Sequence, residues 1–372
     1  MRITDIETIR FETERIPKES DRKGHGHPGE DDEPVPTTAT ITRIVTDEGP
    51  DGYIPGGDER SNDRMADFLE GQDPLAREAI WRDIHTVRGS RPINRIDQAL
   101  WDLAGRYADL PVYRLLGGDR DRVPAYGSTM CGDDDPDGLG TSEAYADFAR
   151  DLVDQGYQAI KLHTWMPPYD ADPDRTIEAC RAVREAVGPD IDLMLDSHHF
   201  YTRLDARKIG DALTELEYLW FEEPMNEHSM SSYQWLTSEV KVPIVGPESL
   251  QGKMQPRAEW IKHGAMDICR ASTRKGGITG CLKTVHLCES FEITCELHGG
   301  TPGNLHILGA MSIPGRYYER GLLHPDYDYE WIPPHLNSPI DPLNDDGTIS
   351  LPEGPGLGID YNWDYIEANR IE

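Results

Sequence analysis

Paired cysteines, a long apolar run and an excess of basic charge are all missing from this chain, and each absence closes a class of function. The six cysteines, at 131, 180, 269, 281, 288 and 295, form no Cys-x-x-Cys pair of the zinc or redox type and read as reduced, mostly buried small hydrophobes. No stretch approaches the roughly 20 apolar residues that a membrane helix needs, and residues 1–6 carry no apolar signal core, so a cytoplasmic protein is expected. Lys and Arg number 37 against 68 Asp and Glu, a formal charge of −31. Such a surface repels nucleic acid and anionic membranes, and neither is expected as a partner. The acids are scattered, as on the solvated, self-repelling surface of a halophilic protein. No glycine fingerprint for a dinucleotide follows any strand-like run, which weighs against a Rossmann domain.

What is present is an ordered alternation. Residues 3–13 and 37–46 alternate like strands, and the insert between them, 15–36, is rich in Gly, Pro, His and charge and reads as a mobile loop or a lid. Residues 61–87 and 93–108 have helical spacing, and a Pro and a Gly-Gly stop then close the unit near Gly118. Beyond Arg122, eight apolar runs alternate with amphipathic stretches: 123–128, 159–163, 191–196, 219–223, 244–248, 266–271, 293–298 and 316–319. That pattern predicts a (β/α)8 barrel over 119–325, preceded by an α+β capping domain over 1–118. The irregular segment 326–372 is expected to return to the cap.

In such barrels the active site lies at the carboxyl ends of the strands, so a polar residue ending an apolar run is a candidate for chemistry. Asp196, Glu222 and Glu248 end the third, fourth and fifth runs at spacings of 26 residues. One βα unit per spacing places them side by side on the rim, where three carboxylates repel unless a hard, oxygen-loving ion such as Mg²⁺ sits among them. Lys161 and His163, two apart on a strand, share the interior face, and a Lys there must meet an anion, be it substrate or a carboxylate such as Asp196. His298 ends the seventh run across the barrel and suits an acid or base. Glu319 in the eighth run either contacts substrate or pairs with Arg316 or Arg320.

With those residues placed, the chain resembles the enolase superfamily, and within it the mandelate racemase branch. The likeness rests on ALWDLAGRYADLPVYRLLGG at 99–118, FEEP at 221–224, Glu248 after the fifth run, GGITG at 276–280 and PGLG at 355–358. It implies Asp196, Glu222 and Glu248 as Mg²⁺ ligands, Lys161 near the substrate carboxylate, His298 as acid/base, and Glu319 hydrogen-bonding the carboxylate or enolate, as a donor if protonated. It also implies a homo-oligomer.

Two departures bear on the reaction. His163 stands where the racemase has a second Lys, and Ala271 stands where an Asp would pair with His298. Glu296, two back on the same face, either substitutes for that Asp or forms an interior ion pair with a neighbouring Arg. His198, two past Asp196, resembles the Asp-x-His of sugar-acid dehydratases, in which such a His serves the leaving hydroxyl. The expected reaction is loss of water from an aldonate-type acid sugar to a 2-keto-3-deoxy acid. His298 is then the base, His198 the acid, His163 a substitute for either, and the loop of Thr164, Trp165 and Met166, with Trp165 foremost, reads the small carboxylate substrate. The alternatives are an acid-sugar epimerase or racemase and a decayed, metal- and ligand-binding regulatory protein.

Overall fold

A computed structural model describes residues 1–371 apart from 21–25, 30–32, 88–92, 136–137, 167–168, 170, 251–253 and 312–314. Parts of the expected lid (21–25, 30–32), of the acidic run near 136 and of the loop after Trp165 thus lie outside the described residues.

The cap begins as an antiparallel sheet. Strand β1 (Ile3–Arg15) pairs with β4 (Val35–Thr46) from Ile3↔Thr46 to Arg15↔Val35, and β5 (Gly52–Pro55) adds to β4. Between them β2 (Lys18–Ser20) and β3 (Gly26–Pro28) form a small antiparallel ladder within the expected lid. Period-two patterning gives the sheet two buried faces: Ile3, Ile6, Ile44 and Ile54 meet the helices, while Ile9, Phe11 and Ile41 meet Tyr361 and Ile366 near the carboxyl end. The helical stretch expected over 61–87 is two helices, α1 (Glu59–Leu69) and α2 (Arg77–Val87). Gly71 at φ 77° breaks it, and its N–H donates to the Ile3 carbonyl (2.8 Å). Helix α3 (Ile93–Ala108) and the short α4 (Val112–Leu115) complete the cap.

The barrel strands are β6 (Arg122–Thr129), β7 (Ala159–His163), β8 (Asp192–Asp196), β9 (Trp220–Glu222), β10 (Ile244–Gly246), β11 (Ile268–Ala271), β12 (Cys295–Leu297) and β13 (Tyr318–Leu323). They pair in parallel in the order β12-β11-β10-β9-β8-β7-β6-β13. Around them run α5 (Ser142–Asp154), α6 (Pro173–Val187), α7 (Arg203–Glu215), α8 (Met230–Glu239), α9 (Met254–Lys262), α10 (Thr273–Glu289) and α11 (Pro302–Leu308). Among the described residues no ladder joins β12 to β13. Side chains span that seam instead: Glu296 accepts the Arg316 N–H (2.7 Å) and Glu319 accepts the Gly299 N–H (2.5 Å).

The last segment first adds β14 (Thr348–Ser350) antiparallel to β6 and then reaches the cap, where α12 (Trp363–Ala368) packs by β1. Buried Asp102 of α3 ties the parts together by accepting the Tyr53 N–H (2.9 Å) and the Leu357 N–H (2.8 Å) while paired with Arg106 (2.7 Å). No helix among the described residues is long and apolar enough to cross a membrane.

Candidate active site

Alternation along the strands stacks the barrel interior in layers. An apolar layer of Tyr126, Ala159, Met194, Trp220, Val245 and Tyr317 fills the lower part. Two residues further along the same strands the lining becomes charged: Ser128, Lys161, Asp196, Glu222 and Glu319, joined by Arg270 of β11. In-register pairing sets His163 beside Asp196 and Asp196 beside Glu222.

Lys161 is wholly buried at the centre of this layer. Its ammonium lies 3.1 Å from Asp196, 3.1 Å from Glu222 and 2.9 Å from Glu319. Burial alone would pull that ammonium down, but Glu222, Glu319 and Asp196 outweigh it and hold it well above its ordinary value. Arg270, also wholly buried, sets Nε 2.6 Å from Glu222 and Nη2 2.9 Å from Glu319, and donates to the Tyr126 hydroxyl (2.8 Å). Glu319 further accepts from the Ser128 hydroxyl (3.0 Å). Burial opposes its ionisation, yet Lys161 and Arg270 hold it well below the usual carboxylate range.

Above this layer, Glu248 Oε2 lies 2.9 Å from His298 Nδ1, off the axis of the ring N–H, and Glu248 Oε1 lies 2.6 Å from Lys275 of α10. His298, Lys275 and Arg270 together overcome burial and keep Glu248 well below its ordinary value. Both oxygens of Glu227 accept backbone N–H groups from the turn that carries it, those of Glu248 and Ser249. Donor atoms of Glu222, Glu248 and His298 fall within 4.8 Å of one another, as do those of His163, Asp196 and His198. The three acids therefore form an arc, with Glu222 in the middle and Lys161 linking it to Asp196. His198, His199 and Glu223 all sit at positive φ (47°, 70° and 46°) at the ends of β8 and β9, the strained positions typical of working sites.

Several expectations need correcting. Lys161 has a carboxylate for each of its three N–H groups, so it reaches a substrate carboxylate only by exchanging one of them. His163 also has both nitrogens engaged, with Nδ1 2.7 Å from the Thr129 carbonyl and Nε2 3.2 Å from Asp196 Oδ2. A carbonyl only accepts, so Nδ1 carries a proton, and His163, which packs edge-on against His198 (5.1 Å), has no nitrogen free to act as a base. Glu319 is an ionised acceptor, not a protonated donor. Its partners are Lys161 and Arg270, because Arg316 and Arg320 turn outward to Asp192 and to Glu330. Trp165 is buried, with its indole N–H on the Asp133 carbonyl (3.0 Å) and its ring against Tyr145, so it braces its loop. Glu296 does not orient His298. It sits one layer lower, where burial raises its carboxyl to about 7, and the short contact of His298 is with Glu248.

Sequence reasoning missed Arg270, Lys275, Glu223 and Glu227. Alternation from Ile268 would have put Arg270 in the interior. The second Glu of FEEP was the signal for Glu223, whose Oε1 is buried with no hydrogen-bond partner.

The donor set suits a hard cation. It consists of carboxylate oxygens, and one of them, Glu223 Oε1, is buried without a hydrogen bond. Burial, then Glu248 and Asp196, raise Glu223 well above its ordinary value, the response of an acid crowded by like charge. Arg270 and Lys275 supply part of the positive charge that the arc needs.

Comparison with known proteins places this geometry. Residues 144–365 match the family model described as enolase C-terminal domain-like, and residues 51–117 match that of the mandelate racemase/muconate lactonizing enzyme N-terminal domain. The solved structure of a D-glucarate dehydratase from Agrobacterium tumefaciens, complexed with magnesium, superposes with a TM-score of 0.94 over 100% of both chains at 44% identity. D-gluconate dehydratase of Thermoproteus tenax is 26% identical over 361 residues, which cover 89% of this chain and 70% of that protein. D-galactarolactone cycloisomerase of Agrobacterium fabrum is 28% identical over 330 residues, 82% of each. With the enolase-like domain matched over more than half its length, the chain is an enzyme of the enolase superfamily and belongs to its mandelate racemase/muconate lactonizing enzyme family.

Proposed function

We propose that the enzyme is a Mg²⁺-dependent hydro-lyase that removes water from an acid sugar to give a 2-keto-3-deoxy acid. Asp196, Glu222 and Glu248 would hold the ion, with Glu223 beside them. When bound, a divalent ion there supplies positive charge to the substrate carboxylate as its α-carbon loses a proton.

The observation that carries the reading is the inequality of the basic groups. With Nδ1 of His298 against Glu248, the ring presents Nε2 to a substrate, and this partly exposed imidazole is placed to take the α-proton. On the facing side Lys161 stays protonated and His163 has both nitrogens engaged, so no second base stands ready for epimerisation. His198, partly exposed and fixed by its backbone N–H on Asp196 Oδ1 (3.1 Å), is placed to give a proton to the departing β-hydroxyl. The enol product then tautomerises to the keto acid. Lys161 and Arg270 contribute fixed charge beneath the reacting carboxylate.

The likeness to a glucarate dehydratase supports a dicarboxylic acid sugar over an aldonate. So does a pair of cations beside the loop that carries His298. Arg274 donates to the Gly300 carbonyl (3.2 Å), and the Lys18 ammonium, over the Tyr327 ring, is lowered to about 8 by burial and then by Arg274. A second substrate carboxylate would relieve that repulsion.

The test is a panel of aldonates and aldarates incubated with Mg²⁺ in D₂O and assayed for keto acid. Keto-acid formation from one or more panel members is expected. Deuterium exchange without keto acid would favour the epimerase, and binding without turnover the decayed protein.

A further inference from the structure

We propose that Cys269, Cys288 and Cys295 form a binding site for a soft, thiophilic metal ion, Cu⁺ held by three sulfurs. Cys269 of β11 and Cys295 of β12 are register partners in the parallel ladder. Their chain neighbours Arg270 and Glu296 point into the barrel, so both thiols point outward, where Cys288 in the last turn of α10 meets them. The three sulfurs lie within 4.8 Å of one another, and each residue is at most 1% exposed.

The chemistry of the trio selects the ion. Its donors are all sulfur, which favours soft metals, and it offers three of them, one short of the four that structural zinc takes. Charge points the same way. Arg257, 1% exposed, lies beside Cys269 and donates to the carbonyls of Arg270 (3.0 Å), Pro247 (3.0 Å) and Glu248 (3.3 Å). Binding one Cu⁺ to three thiols with release of two protons leaves two thiolates and one neutral thiol around it. The complex is then singly negative, and the Arg257 guanidinium neutralises it in the core. No electron moves in this step, and no other reactant is consumed.

The readout is binding, so its failure is distinct from failure of the acid-sugar reading. The reduced, intact protein is titrated anaerobically with Cu⁺ against bicinchoninate as competitor. One Cu⁺ retained per chain is expected, with three sulfur neighbours by X-ray absorption. Cys288→Ala should weaken retention at least 100-fold, and Cys131→Ala, on a different part of the wall, should leave it unchanged; circular dichroism checks that both fold. Absence of retained copper, nitrogen or oxygen neighbours, or equal retention by Cys288→Ala would overturn the proposal. If Cys288→Ala does not fold, the absorption spectrum of the unmodified protein decides alone.

Discussion

Replacing Arg270 with Met removes the cation from the charged layer while nearly keeping its volume. At 2.6 and 2.9 Å from Glu222 and Glu319, each ion pair has a Coulomb energy of roughly 6 kcal/mol at an effective dielectric of about 20. Desolvation offsets much of this, and stripping one partner from a buried pair typically costs about 3–5 kcal/mol because the remaining charge is stranded. At roughly 2 °C per kcal/mol for a chain of this size, Tm should fall by about 6–10 °C in the absence of divalent ions. The same stranding should sharpen the response to metal, because the exposed negative charge gains more from a divalent ion. Calorimetry of both proteins with and without Mg²⁺ reads the effects together. A variant within 2 °C of the parent, or one whose Mg²⁺ shift is no larger, would refute the view that Arg270 neutralises the acids.

Three further outcomes are expected. His298→Asn should lower kcat by about 10²–10⁴ and abolish α-proton exchange in D₂O while the fold persists by circular dichroism; retained exchange would assign the base elsewhere. Chelation should lower Tm, with Mg²⁺ at 100 times its dissociation constant restoring about 2.7 kcal/mol; a Tm indifferent to both would count against the metal arc. Asp97, wholly buried in α3, accepts the Thr279 N–H (2.9 Å), and burial raises it to about 6. The folded state therefore binds more protons between about pH 4 and 6, so this group favours folding below that window and costs up to about 3 kcal/mol above it. Asp97→Asn, which keeps the acceptor, should stabilise the protein at pH 8 and lose that gain near pH 4 in urea titrations; an equal effect at both would deny the burial cost.

Much of the barrel was legible because seven of the eight apolar runs end in a polar residue and the runs recur at about one βα unit. The same rule brought Lys161, Asp196, Glu222, His298 and Glu319 into view. Charge pairing was not legible, since it depends on neighbours across the barrel. The reach of Arg270 to two other strands, and the choice of Glu248 over Glu296 beside His298, follow from layer height, which strand spacing alone leaves open. Trp165 shows the converse: an aromatic in a rim loop looked outward by position, but its N–H found a buried carbonyl. The split of α1 from α2 hinged on one glycine whose positive φ suits the contact with β1.

Among the described residues, the seam between β12 and β13 is a joint of the cylinder fastened by acids instead of main chain. His298 sits one residue past β12, at the lip of that joint, and Glu319 serves at once as clasp for Gly299 and as counter-ion for Lys161 and Arg270. Charge balance in the floor and tightness at the rim are thus one mechanical variable. A change that neutralises Glu319 would loosen the stave carrying the base as well as unbalance the cations, so amides around 297–300 should exchange faster with solvent even when no ligand is bound.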